Sequence, residues 1–247
     1  MTKTMLTVNG IQEGILNNIE NVLADSWSNE DVSAVWNEGN EVSPETFTPF
    51  FDSLKILNIL PKEVSVRVVG TFVEDVFVAE EVVLKENGST NPLLTLPVET
   101  LFSQNEDGDY KGLKKEGFAP LVEKIVPFTD SFDELVENVL DEMNLYLLTN
   151  YEAGFDDSNS TVDVSDVPSL FMDLQAEGIL PNHGYTLQYT VEDNEGSYED
   201  MATRFIVFNY RTPLLVIPFD SVMDENDDSY SGIKREGMKE IVKVALI

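Results

Sequence analysis

The chain contains no cysteine, and histidine occurs once, as His183. The first absence excludes disulfides, thiolate metal sites and cysteine nucleophiles, so stability must come from packing. A lone histidine beside Gly184 reads as a loop residue rather than a catalyst. Neither a GxxxxGK[ST] phosphate loop nor a GxGxxG fingerprint occurs. No run approaches the roughly 18–20 consecutive apolar residues of a membrane span. The opening Met1-Thr2-Lys3-Thr4 lacks a secretory pattern, which leads to the expectation of a soluble, cytoplasmic protein.

Basic residues are also scarce. Fifteen Lys and Arg stand against 46 Asp and Glu, for a formal net charge of −31. Such a balance repels nucleic acid and anionic head groups and favours basic partners. Solubility in high salt would produce the same imbalance without any partner. Apolar residues make up 42% of the chain, with 14 Phe, 8 Tyr and 2 Trp, which is enough for a folded core. A length of 247 residues accommodates one large domain or two ordinary ones.

Internal recurrence favours two. Ile59-Leu60-Pro61 returns as Ile179-Leu180-Pro181, and Pro92-Leu93-Leu94-Thr95-Leu96-Pro97 as Pro213-Leu214-Leu215-Val216-Ile217-Pro218. Tyr110-Lys111-Gly112-Leu113-Lys114-Lys115-Glu116-Gly117 returns as Tyr230-Ser231-Gly232-Ile233-Lys234-Arg235-Glu236-Gly237, and Glu20-Asn21-Val22-Leu23 as Glu137-Asn138-Val139-Leu140. Four matches in one order at nearly one offset read as a tandem duplication of a module of about 120 residues, spanning 1–127 and 128–247. His183 faces Glu63 in this register, which excludes a histidine triad or metal site shared by both copies.

The expected class is α+β. Ile11, Ile15, Ile19, Val22 and Leu23, and likewise Phe132, Leu135, Val136, Val139, Leu140 and Met143, follow the helical period, so each copy opens with an amphipathic helix. Asp130 is placed to cap the second of these. A second helix is expected around Phe50–Leu57 and Leu170–Ala176, stopped near Pro61 or Gly178. Alternation at Val64, Val66, Val68 and at Tyr185, Leu187, Tyr189 marks strands. Further strands fall at Phe77–Leu84, Phe205–Tyr210, Leu93–Leu96 and Leu214–Ile217, giving a three-stranded antiparallel sheet per copy. A C-terminal helix is expected at Gly112–Val126 and Gly232–Ala245. The polar stretches that follow the opening helices read as long loops.

The charge is uneven. No basic residue lies between Lys3 and Lys55 or between Lys124 and Arg204, and the second interval holds 18 acidic residues. On the second opening helix Asp130, Asp133, Glu134, Glu137, Asp141 and Glu142 follow one face, at spacings where like charges cost stability. Such a one-signed field suits occupation of the Lys/Arg groove of a DNA-binding protein. The partner-binding candidates are therefore these six, with Glu13, Glu20 and Asp25 as their counterparts on the first helix.

A cation loop is the alternative local chemistry. Asn105, Asp107 and Asp109 alternate as calcium ligands do, with Glu116 twelfth, but Tyr110 stands where the turn wants glycine. The second copy offers Glu225, Asp227, Ser229, Tyr230 and Glu236. Ordinary acidic turns, with Glu116 or Glu236 favouring a helix dipole, account for the pattern better. The one Asp-Tyr-Lys spacing that could serve carboxylate chemistry, Asp109-Tyr110-Lys111, becomes Ser229-Tyr230-Ser231. The sequence therefore points away from an enzyme and assigns no catalytic residue, metal or cofactor. The expected function is that of an acidic interaction protein of phage or mobile-element type. It would block a basic nucleic-acid-binding host protein of the restriction, CRISPR or transcription kind by charge mimicry, without touching nucleic acid or membrane. The alternative is a non-catalytic structural or assembly protein, such as a virion component, with two contact modules.

Overall fold

The computed structural model of the chain describes residues 7–28, 35–74, 76–105, 108–157, 160–182, 184–192, 202–226 and 229–247. The chain is mixed α+β with antiparallel sheets of two or three strands, and it divides into two compact units, Met1–Phe132 and Asp133–Ile247. The first unit runs α1 (Val8–Ser26), α2 (Pro44–Ile56), β1 (Val64–Val73), β2 (Val76–Glu86), β3 (Leu94–Pro97), α3 (Val98–Leu101), β4 (Phe102–Gln104), β5 (Tyr110–Leu113) and α4 (Lys115–Ile125). In the second the order is α5 (Asp130–Asn150, beginning just before the boundary), α6 (Asp166–Ala176), β6 (Tyr185–Glu192), β7 (Ala202–Asn209), β8 (Thr212–Pro218), α7 (Phe219–Val222), β9 (Met223–Asn226), β10 (Ser229–Ile233) and α8 (Arg235–Leu246). Each unit is thus helix, helix, a three-stranded meander, a one-turn helix, a two-stranded ribbon and a helix.

Local chemistry explains the element ends. Asp130 is the first residue of α5 and does not cap it. The cap is Thr129, whose Oγ1 accepts a hydrogen bond from the Phe132 amide at 3.2 Å. The recurring Ile-Leu-Pro marks how the second helix of each unit stops. Asn58 and Gly178 take positive φ, 55° and 75°. The next amides, Ile59 and Ile179, donate back to the carbonyls of Leu54 and Leu174, both at 2.9 Å, which closes a Schellman exit. Leu60 and Leu180 are then buried. Both helices start earlier than expected from their apolar residues: Pro44 and the Ser43 amide, which donates to Thr46 Oγ1 at 2.9 Å, open α2.

The last helices start later than expected, at Lys115 and Arg235, because the preceding residues belong to the ribbons. Gly112 and Gly232 donate to the carbonyls of Val42 and Val162, at 2.8 and 2.9 Å, and Lys114 and Lys234 to those of Leu101 and Val222. The stretches after the opening helices are held at the same points. Asn40 is wholly buried; its amide donates to the carbonyls of Val35, Asn37 and Leu113 and its Oδ1 accepts from Val42 and Leu113. In the second unit the buried Ser160 accepts from Val162. A buried polar group so satisfied fixes the path of a chain segment that has no periodic signal.

The cores follow from the helical stripes and the inward strand faces. In the first unit Ile19, Leu23, Phe50, Leu54, Val82 and Leu84 are buried with Phe47, whose ring meets Phe102 edge-on at 5.4 Å. Leu140, Met143, Leu174, Val207 and Ile241 are buried in the second unit, where Phe205 lies 4.4 Å from Phe219 between ring centroids. Each last helix approaches the one-turn helix backbone to backbone: a Cβ built at Gly117 would lie 2.1 Å from the Thr100 carbonyl oxygen, and one at Gly237 2.1 Å from that of Ser221.

Only glycine fits such an approach. Gly117→Ala and Gly237→Ala are each expected to lower stability by about 1–3 kcal/mol. Gly14→Ala, on α1 with nothing within 4 Å of the added carbon, should raise it by about 0.5–1 kcal/mol. Urea midpoints of the three variants against the parent check both signs.

Candidate functional site

The opening helix of the second unit carries six of the nine expected partner-binding residues. Its buried stripe is Phe132, Leu135, Val136, Val139, Leu140, Met143 and Leu147. Opposite it Asp130, Asp133, Glu134, Asp141 and Glu142 are exposed, with Glu137 half-buried at the border. On α1, Glu13 and Asp25 are exposed and Glu20 is half-buried.

Two members of the acidic row are neutralised from α8. Arg235 donates to Glu137 and to Asp141, each at 2.8 Å, and Lys239 donates to Glu137 at 2.6 Å. The two cations hold the Glu137 carboxyl below its ordinary 4.5, the Lys239 bond first and the Arg235 bond second, against a smaller opposing effect of burial. In return the Glu137 bond raises both Lys239 and Arg235 above their ordinary values. The Arg235 guanidinium also lies 5.9 Å from the Phe155 ring centroid. In the first unit Lys115 reaches Glu20 at 3.5 Å, and the indole of Trp36 donates to the same carboxylate at 3.0 Å. Asp130, Glu134 and Glu142 make no ion pair among the described residues.

Sequence reasoning identified the acidic row but missed these cations. The signal is present in the recurring Lys-Lys-Glu-Gly and Lys-Arg-Glu-Gly, whose second basic residue, Lys115 or Arg235, opens a helix and ion-pairs with its unit's first one. That signal lies far from α5 in sequence, since its partners arrive from 98 and 102 residues away.

The cation-loop candidates are described only in part. Asp107, Asp227 and His183 lie outside the described residues, as do the side chains of Glu225 and Ser229. Asn105 is committed to a hairpin turn: its Oδ1 accepts from the Asp109 amide at 2.8 Å, and its own amide donates to the Asp109 carbonyl at 2.9 Å. Glu116 and Glu236 lie in the first turns of α4 and α8. Tyr230 packs edge-on against Phe219 at 5.6 Å. Among the described residues no group of three acidic or histidine side chains could hold a metal ion, and no helix is long and apolar enough to cross a membrane.

A second feature of α5 was not anticipated. Leu145 and Leu148, off the buried stripe, are 65% and 51% exposed. Leu145 belongs to an open groove of about 590 Å³ whose lining is Glu142, Leu145, Tyr146, Thr149 and Asn150 of α5, with Glu177 and Ile179 just beyond α6. The Tyr146 phenol is pushed up first by burial and then by the charges of Asp173 and Glu177, so it stays protonated. Comparisons with family models, with curated proteins and with solved structures give no match to this chain.

The carboxylate of Glu137 supplies a pH signature. A carboxyl with a lowered folded value contributes stability that is fully present above its unfolded value and lost as pH falls through the folded one. Glu137→Gln is therefore expected to cost up to about 1 kcal/mol at neutral pH, the pair being part-exposed. Urea unfolding from pH 7 downwards should show the gap to the parent constant above 4.5 and closing below it.

Proposed function

We propose that this chain is a non-catalytic acidic interaction protein that occupies the nucleic-acid-binding surface of a basic protein, and that its two units arose by tandem duplication of one module. The observation that carries the reading is the carboxylate row of α5. From Asp130 to Glu142 a helix rises about 18 Å. One strand of duplex DNA places about five phosphates over that length. The row holds six carboxylates, and after pairing with Arg235 and Lys239 it keeps a net four negative charges, close to the density of one strand. No cation lies on α5 to break the field.

Duplication is supported by the shared element order of the units and by details that recur about 120 residues apart: the Schellman exits at Asn58 and Gly178, the glycine approaches at Gly117 and Gly237, and the Glu20–Lys115 and Glu137–Arg235 pairs. The first unit carries the counterparts Glu13, Glu20 and Asp25 on α1. The targets such a surface suits are restriction, CRISPR or transcription proteins, in the host cytoplasm if the chain is phage-encoded.

A structural or assembly role is the second reading, and exposed apolar side chains favour it. In the first unit Phe72 is 75% exposed, and it pairs with Phe77 at 5.5 Å near the end of the β1–β2 hairpin, beyond the four residues of β2 that bond β3.

Capture from host lysate, with the eluate identified by mass spectrometry, separates the two. Mimicry predicts a basic nucleic-acid-binding protein that elutes as salt rises, since screening acts over about 10 Å near 0.1 M. It further predicts that reversing Asp130, Glu134 and Glu142 to Lys abolishes capture while the circular dichroism spectrum is unchanged. Retained capture by that variant would sink the assignment, and recovery of self or virion components at any salt supports assembly.

A further inference from the structure

The groove beside α5 has a chemistry that a row of carboxylates lacks. Glu142, Leu145, Tyr146, Thr149 and Asn150 fall at i, i+3, i+4, i+7 and i+8, so one face of the helix forms a wall, and Ile179 and Glu177 form the other. That face is distinct from the buried stripe. It presents Leu145, largely exposed, and the half-buried ring of Tyr146, whose hydroxyl makes no hydrogen bond among the described residues. A carboxylate stands on each wall, Glu142 and Glu177, Asp173 adds a third charge nearby, and no cation lines the groove.

Apolar contact flanked by negative charge defines the occupant. Nucleic acid and anionic lipid are repelled, and an uncharged apolar peptide gains nothing from the two exposed carboxylates. A Lys or Arg side chain satisfies both parts, because its aliphatic stem packs on apolar atoms while its head reaches a carboxylate or an aromatic face. The groove, about 590 Å³ and open to solvent, has room for such a side chain.

We propose that the groove between α5 and the end of α6 seats an amphipathic basic segment of the partner protein, with apolar side chains on Leu145 and Ile179 and Lys or Arg heads on Glu142 and Glu177. The inference rests on the charge-mimic reading and deepens it: the acidic row supplies a long-range, salt-sensitive field, and the groove a short-range, salt-resistant anchor. Steering and anchoring are separable because screening weakens the first and leaves apolar burial in place.

Two synthetic probes of equal charge distinguish them on the full chain: an amphipathic Lys–Leu peptide and an oligolysine. The Lys–Leu peptide is expected to shift the backbone amide signals of residues 142–150 and 177–179, to remain bound at about 0.5 M salt, and to bind about tenfold more weakly to Leu145→Ser. Leu145 is exposed enough for that variant to fold, and Ile179→Ser provides a second. Amide shifts confined to other residues, or affinity for the Lys–Leu peptide unchanged within about twofold in both variants, would overturn the groove. Oligolysine should bind only at low salt, respond to reversal of Asp130, Asp133 and Glu134, and be indifferent to Leu145→Ser. If oligolysine fails to bind the parent while the Lys–Leu peptide still seats in the groove, charge mimicry falls and the groove stands. If oligolysine behaves as expected and the Lys–Leu peptide ignores both groove variants, the groove falls and mimicry stands.

Discussion

The backbone approach at Gly117 and Gly237 is the constraint on which each unit depends. With no Cβ in the way, the last helix sits directly on the one-turn helix that follows the meander, and this ties the sheet side of the unit to its helical side. The same seat points the first turn of the last helix at the opening helix, where Lys115 meets Glu20 and Arg235 meets Glu137. Packing and ion pairing are thus consequences of one close contact. The packing supplies the stability: part-exposed pairs contribute about 0–1 kcal/mol each, whereas each fully buried large apolar side chain contributes about 1.5–3 kcal/mol.

A chain of net charge −31 folds against its own repulsion. Five of its fifteen cations meet carboxylates brought from another element or from the loop before one. Lys111 meets Glu41, Lys115 meets Glu20, Lys234 meets Asp224, and Arg235 and Lys239 share Glu137. What remains unpaired on α5 among the described residues, at Asp130, Asp133, Glu134 and Glu142, faces solvent. The acidic character of the surface is in this sense a remainder after internal neutralisation, and the functional reading concerns that remainder.

Much of the fold was legible because the strongest periodic signals coincide with the largest elements. The opening helices, the three-stranded meanders and the last helices were all found, since burial of one face imposes a period of 3.6 or 2. The one-turn helices and the ribbons around Phe102 and Met223 were not, because four residues carry no readable period. Buried Asn40 was hidden for another reason: a polar residue in a polar stretch gives no sign that its amide will be fully bonded. At the site, the acidic residues were plain from composition, while their cations, brought in from the far end of each unit, and the groove face of α5 were not. Leu145 and Leu148 are two residues beyond the expected stripe, too few to mark a period of their own.

The pairing of each opening helix with its last helix also bears on synthesis. Glu20 and Lys115 are separated by 95 residues, and Glu137 and Arg235 by 98. At about 5–20 residues per second, an opening helix leaves the ribosome some 5–20 s before the helix that covers it. During that interval its apolar stripe is available to chaperones, and closure of the unit is a late event set by the arrival of the final turn rather than by the formation of the first.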